Sequence, residues 1–460
     1  MHVLARKPAR AGDRGVVTRR LFALLALLAA CFGVAVLTAA PASAHVELLS
    51  SNPADGARLT SAPARVSLTL SENIGIQPNS IKVVDQQGTD VVAGPVFQPG
   101  EVAEEVAVAL EPDLPDGSYL VEYAFVSADS HPVRGTIAFV IGTGPLITSA
   151  GAVSASTGTD PVTDALFTTF RWGSFGGVAL LGGLVFMLVC RPEGRADPSA
   201  RKLITAGLWL SGVTAVAGFL LQGPYVAGRG VGALFDPALI EATLRVAYGK
   251  LLLLRLAAIV ALAVIVRRLL TSGLPERLRS RYENLGIAAG FIVMLSFSAT
   301  GHAVADKIMF LSVSADLAHF GAMAVWVGGL IQLAVLLRGR YSASEAEPAL
   351  ARFHPIATRS IVIMVVSGAY LGFRLVPSVE ALWTSAYGIV FLLKLTGFAV
   401  LLWVANLSRN AVRRGISGRG GTGVVTADLR KLRISVGVEV LIVAVVLALA
   451  AALSSMSPTG

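Results

Sequence analysis

The chain has 460 residues, 54% of them hydrophobic and only 15% charged, and its mean hydropathy is +0.70; soluble domains run ~45–50% apolar and ~25% charged. Two cysteines exclude a disulfide scaffold or a cysteine-rich metal module, and 47 glycines and 21 prolines without a fixed period exclude a fibrous chain. The apolar residues gather in blocks of about 20, the length that crosses a bilayer as helix, so the formal charge of +9 reflects topology and no nucleic-acid partner is expected.

Residues 1–20 are basic (Arg6, Lys7, Arg10, Arg14, Arg19, Arg20), Leu21–Ala40 is nearly all apolar, and Ala42-Ser43-Ala44 follows. That order predicts a signal peptide over residues 1–44, whose cleavage leaves His45 first in the mature chain. Thr18-Arg19-Arg20-Leu21-Phe22 has the form of a twin-arginine signal and Leu28-Ala29-Ala30-Cys31 that of a lipoprotein box. An uncleaved anchor helix is the remaining alternative.

Residues 45–142 change character. Strands are predicted at Arg65–Leu70, Ser80–Val84, Val102–Leu110, Ser118–Phe125 and Gly135–Ile141, with turns at Gln87-Gly88, Pro99-Gly100 and Pro115-Asp116-Gly117. This describes a small antiparallel sandwich or barrel. Thirteen Asp and Glu face four Lys and Arg here, a surface that gathers cations and repels nucleic acid. His45 and His131 are its two histidines. A terminal histidine chelates through its α-amine and imidazole, a second imidazole completes three nitrogens in a plane, and that set suits Cu(II). Asp129 supplies an axial oxygen or orients an imidazole. The alternative treats His131 as an ordinary loop residue and His45 as an accident of cleavage.

His45-Val46-Glu47-Leu48, Ser51-Asn52-Pro53-Ala54-Asp55-Gly56-Ala57, Leu70-Ser71-Glu72 and Ser127-Ala128-Asp129-Ser130-His131-Pro132 resemble the copper-binding protein family CopC. The resemblance implies a cupredoxin-like, Greek-key β-barrel binding Cu(II) through His45, Asp129 and His131, with Glu72 a further candidate. No methionine lies between 45 and 150, so the methionine-rich Cu(I) site of some members is not expected. Ser130 stands where that family commonly has Gly. Copper-dependent polysaccharide monooxygenases also begin with histidine but need a larger domain with an aromatic face, and this segment has no tryptophan.

Residues 143–165 form a Gly/Ser/Thr/Ala-rich linker. Eight apolar blocks follow over 166–456, at about 166–190, 203–222, 247–266, 285–304, 311–336, 358–376, 387–405 and 435–455. Lys and Arg crowd the loops after the first, third, fifth and seventh, which puts those loops in the cytoplasm and the β domain and C-terminus outside the cell membrane. His302 closes the fourth block; Asp316, His319 and Met323 follow at i, i+3 and i+7 on one face of the fifth. Ionisable groups at this depth usually face a bundle interior or a pathway, and imidazole with thioether suits copper, the thioether favouring Cu(I). The competing structural roles are an interfacial His302, a helix-to-helix hydrogen bond from His319 and simple packing of Met323. His354 sits in a predicted cytoplasmic loop with no expected role. Arg255 and Lys394 are expected to pair with Asp316 as structural glue.

Ser298–Ala303, Asp316-Leu317-Ala318-His319, Trp326-Val327-Gly328-Gly329-Leu330 and Tyr387-Gly388 with Leu393-Lys394-Leu395 resemble the CopD family. The fusion so implied is an extracytoplasmic Cu(II) trap joined to a membrane copper unit, with import the leading direction and other copper-handling proteins as further partners. No enzymatic activity is implied, and no ATP-binding motif is present. The alternatives are tolerance by sequestration or delivery, a sensor or assembly factor, and a membrane redox protein with His302 and His319 ligating one haem.

Overall fold

The computed structural model describes residues 48–71, 74, 80–100, 104–127, 132–146, 160–271, 274–304, 306, 308–338, 343–376, 378–417 and 425–456. The expected signal peptide lies outside the described residues, as does most of the linker.

Seven strands form the N-terminal domain: β1 Leu48–Asn52, β2 Arg58–Leu59, β3 Arg65–Leu70, β4 Ile81–Val84, β5 Glu105–Ala109, β6 Gly117–Val126 and β7 Pro132–Ile141. They make two sheets, ordered β1-β3-β5 and β2-β7-β6-β4, antiparallel except where β2 runs parallel to β7. Val66, Leu68, Val108, Val121, Phe125 and Phe139 are fully buried in one shared core, each stabilising the fold by ~1.5–3 kcal/mol. The two sheets are joined along one edge by the Asp90–Val92 segment, which pairs Asp90 with Val84 at the end of β4 and Val92 with Leu110 just past β5. Turn chemistry sets the register. Asp85 Oδ1 accepts from the backbone N–H groups of Gln87 and Thr89 at 2.9 and 2.8 Å, and Gly88 takes φ +81°, a left-handed turn position that favours glycine.

The rest is helical: α1 Pro161–Val185, α2 Pro198–Ala227, α3 Pro237–Arg245, α4 Ala247–Leu269, α5 Glu276–Ser298, α6 Met309–Arg338, α7 Ala343–Leu375, α8 Ala381–Thr384, α9 Ala386–Ser417 and α10 Val425–Leu453. Three begin with the same signal. Asp160, Asp197 and Asp236 each cap a helix whose first residue is proline, accepting from Thr163, Ser199 and Ala238 N–H, which supplies an acceptor for the unpaired first turn and a preset φ. Among the described residues seven helices are long and apolar enough to cross a membrane, one fewer than the eight blocks expected. The difference is α5. Its first two turns carry Glu276, Arg277, Arg279, Arg281 and Glu283, so its apolar stretch is short, and it ends at Ser298 where residues up to 304 were expected. Outside the bundle, Trp209, Ile287, Phe310 and Leu441 are largely exposed, an apolar exterior that a soluble protein would not keep. This is a multi-pass membrane protein.

α1 and α6 cross closely at glycines: a Cβ at Gly182 would strike the Ala324 carbonyl, and one at Gly328 would strike Ala179 O and Gly183 N. Near the β-domain end, Asp306 ties the α5–α6 turn to α7. Arg374 donates to it through Nε at 2.8 Å and also through Nη2, and Ser312 Oγ donates at 2.6 Å. The Arg374 guanidinium holds the Asp306 carboxyl down to about 2.

Gly328→Val should lower the stability of the purified protein by at least ~1–3 kcal/mol, the scale of an overpacked core, read as a fall in Tm. Asp306→Asn should cost roughly 1–3 kcal/mol, less than the ~3–5 of a fully buried pair because Arg374 keeps 21% exposure. Since folding depresses the Asp306 pKa, its stabilisation is complete above the ordinary carboxylate range and lost as pH falls towards about 2. The Tm difference between wild type and Asp306→Asn should therefore stay constant from pH 6 to 8 and shrink below ~4.

Candidate metal centre and membrane cavity

β6 and β7 form the longest hairpin, paired from Gly117↔Ile141 to Val126↔Pro132. Its tip is the Ser127–His131 run. Ser127 is buried; Asp129 and His131, like His45 and Glu72, lie outside the described residues. The frame around them is defined. Leu48, first in β1, pairs with Leu70, last in β3, so the start of β1 and the end of β3 lie together at one sheet end.

The hairpin stands on the helical bundle. Val126 is 3% exposed and packs in a cluster with Phe167, Leu221, Tyr225, Val226, Tyr248 and Leu252, within which Phe167 and Tyr225 stack at 4.2 Å. Arg134 Nε and Nη2 donate to the Val226 carbonyl at 3.0 and 2.8 Å, and Nη2 also donates to Tyr225 O. These carbonyls belong to the last turn of α2, before Gly228 ends it in left-handed geometry at φ +65°. Carbonyls there lack helical partners and carry the negative end of the helix dipole, so a guanidinium complements them. Burial pulls Arg134 below its ordinary pKa.

Beneath this contact lies a cavity of about 160 Å³. Phe167 and Arg171 of α1, Tyr248 and Arg255 of α4, Thr300 and His302 after α5, and Asp316 of α6 line it, all from helix ends on the β-domain side. Arg255 is 6% exposed. Its Nε donates to Ser296 Oγ at 2.8 Å and its Nη2 to Ser296 O at 2.8 Å, and its guanidinium carbon sits 3.5 Å from the Phe297 ring centroid. It does not pair with Asp316 as expected; Lys394 and His302 are the electrostatic neighbours of that side chain.

The four residues expected to form a membrane copper site divide into two groups. His302 and Asp316 line the cavity. His319 Nδ1 instead meets Met364 O at 3.1 Å and Ser367 Oγ at 3.2 Å on α7, and Met323 is buried in the apolar cluster that also holds Met364. Among the described residues no three His, Cys, Asp or Glu side chains converge as a metal site. Sequence reasoning overlooked Arg171 and Met364. Arg171 carried the same signal as Arg255, a charge inside an apolar block; Met364 carried none, because its proximity to His319 depends on how α6 and α7 pack.

Residues 48–142 match the CopC domain family, 162–310 the copper resistance protein D-like N-terminal domain, and 347–453 copper resistance protein D. The chain is 27% identical over 391 residues to copper transport protein CutJ of Bacillus subtilis (strain 168), covering 81% of this chain and 70% of that protein. It is 32% identical over 121 residues to copper resistance protein C of Pseudomonas syringae pv. tomato, covering 24% of this chain and 90% of that protein. The crystal structure of CopC from Methylosinus trichosporium OB3b aligns over 23% of this chain and 100% of that one, at 23% identity and a TM-score of 0.20. With matches to both halves in one chain, the protein belongs to the copper resistance family as a fusion of a CopC domain with a CopD-type membrane domain.

Proposed function

We propose that the protein captures Cu(II) outside the cell membrane with its β domain and passes copper into the membrane domain for import. The observation that carries this reading is the seating of the β6–β7 hairpin over the cavity through Val126 and Arg134. The hairpin tip supplies Asp129 and His131 as ligands. His45 joins them through α-amine and imidazole, with Glu72 as a further oxygen donor. Chain reach supports this grouping. β1 ends near the far end of β7, where Gly56 N–H donates to Ala138 O, so at about 3.3 Å per residue its first residue, Leu48, lies towards the hairpin tip.

Sidedness follows from charge. α4 ends in Arg267 and Arg268, and α5 begins with Arg277, Arg279 and Arg281, which assigns that connection to the cytoplasm and the cavity end to the outside. α5 then makes an eighth crossing, its charged turns inside. Copper leaving the hairpin meets His302 and Asp316 first; His319, with Met323 and Met364 in the neighbouring apolar cluster, offers softer ligands deeper in the bundle. A haem shared by His302 and His319 fits less well, because the two are held against different elements and the cavity is below the ~300–1,000 Å³ of organic-ligand pockets.

Arg134→Ala removes charge-assisted hydrogen bonds worth roughly 1.5–3 kcal/mol each. It should leave one Cu(II) bound per full-length chain and lower cellular copper accumulation several-fold, whereas His131→Ala should lower both. Wild-type accumulation by a well-folded Arg134→Ala would sink the transfer step. For His319→Ala, normal abundance in the membrane with lost accumulation supports a transfer ligand. A loss of abundance in proportion to the loss of accumulation assigns His319 to packing against α7.

A further inference from the structure

Copper is a cation, yet the cavity beneath the hairpin is lined by two guanidinium groups. Arg255 Nη1 has no hydrogen-bond acceptor among the described residues, the other nitrogens being turned to Ser296 and, for Nη2, also to Thr300 Oγ1 at 3.4 Å. Arg171 donates through Nη1 to Ser454 O and, at 3.2 Å, to Ser455 Oγ, which leaves its Nε and Nη2 without an acceptor among the described residues. Neither arginine forms an ion pair among the described residues, and both line the one cavity. Asp316, the carboxylate on the cavity wall, has Lys394 and His302 as its electrostatic neighbours.

Arginine does not escape its charge by deprotonation, and an uncompensated charge in an apolar wall costs several kcal/mol. Two guanidiniums with free donors around one small space, walled by phenylalanines, are the complement of an anion. The volume of about 160 Å³ excludes drug-sized organic ligands and admits a small ion with a few waters. We propose that this cavity binds a small inorganic anion of the chloride class between Arg171 and Arg255. Resting on the copper-import reading, we further infer that the bound anion cancels the positive field a copper ion meets as it leaves the hairpin.

The test uses the full-length protein in detergent, copper-free, in gluconate buffer titrated with chloride, reading excess ³⁵Cl line broadening and its displacement by bromide. Wild type should show saturable broadening. Arg171→Gln and Arg255→Gln should each weaken it at least tenfold, and Arg171→Lys, which keeps the charge, should retain most of it. Should Arg255→Gln fail to fold, as judged by size exclusion and Tm, Arg171→Gln decides alone. No saturable broadening in wild type, or undiminished broadening in a well-folded Arg171→Gln, overturns the site. A second arm measures copper uptake by vesicles of the full-length chain. Chloride should stimulate uptake by wild type and not by Arg171→Gln. Halide binding with equal stimulation of both proteins keeps the anion site and overturns its role in copper movement; no uptake by wild type in either salt defeats the copper-import reading and leaves the anion site standing.

Discussion

The last turn of α2 is where the two halves of this chain are joined. A helix of that length ends in carbonyls without partners, and in a membrane protein those ends must find donors or water. Arg134 reaches from β7 to two of them and so fixes the height and heading of the β6–β7 hairpin. The aromatic stack of Phe167 on Tyr225 and the burial of Val126 lie beside the same contact.

The bundle below is asymmetric in a way that suits this contact. Arg171, Arg255, Asp316 and Lys394 all lie in the half of their helices nearer the β domain, with His302 and His319. The opposite half of α1 and α6 is given over to close backbone approach at Gly182 and Gly328. One half carries the ionisable groups and the other the close helix contacts, and Asp306 with Arg374 fastens the first at its rim.

Much of this was legible in the residues. The longer strands and the Gln87-Gly88 turn rest on local patterns, and local patterns survive folding. β1 and β2 were harder: they are short, and their pairing with β3 and β7 is set by distant chain. The helical spacing placed Asp316, His319 and Met323 on one helix, but Asp316 meets the cavity whereas His319 meets α7. Spacing names a face; it does not name the neighbour that each turn of that face will find. The charges near Glu276 likewise shorten the apolar stretch of α5 without preventing the helix.

The β domain grips α2 by backbone atoms. Tyr225 and Val226 contribute carbonyl oxygens, and those oxygens are present whatever side chains occupy the positions. Substitutions there can accumulate so long as the helix stays helical and the apolar cluster keeps its bulk. Length is another matter. At about 3.6 residues per turn and 1.5 Å per residue, inserting a single residue upstream in α2 would swing the terminal carbonyls by about 100° and raise them by about 1.5 Å, carrying them away from a guanidinium anchored on a rigid sheet. Homologous fusions that preserve this grip should thus exchange one bulky apolar residue for another at the end of α2 while conserving the number of residues between its proline start and its glycine stop.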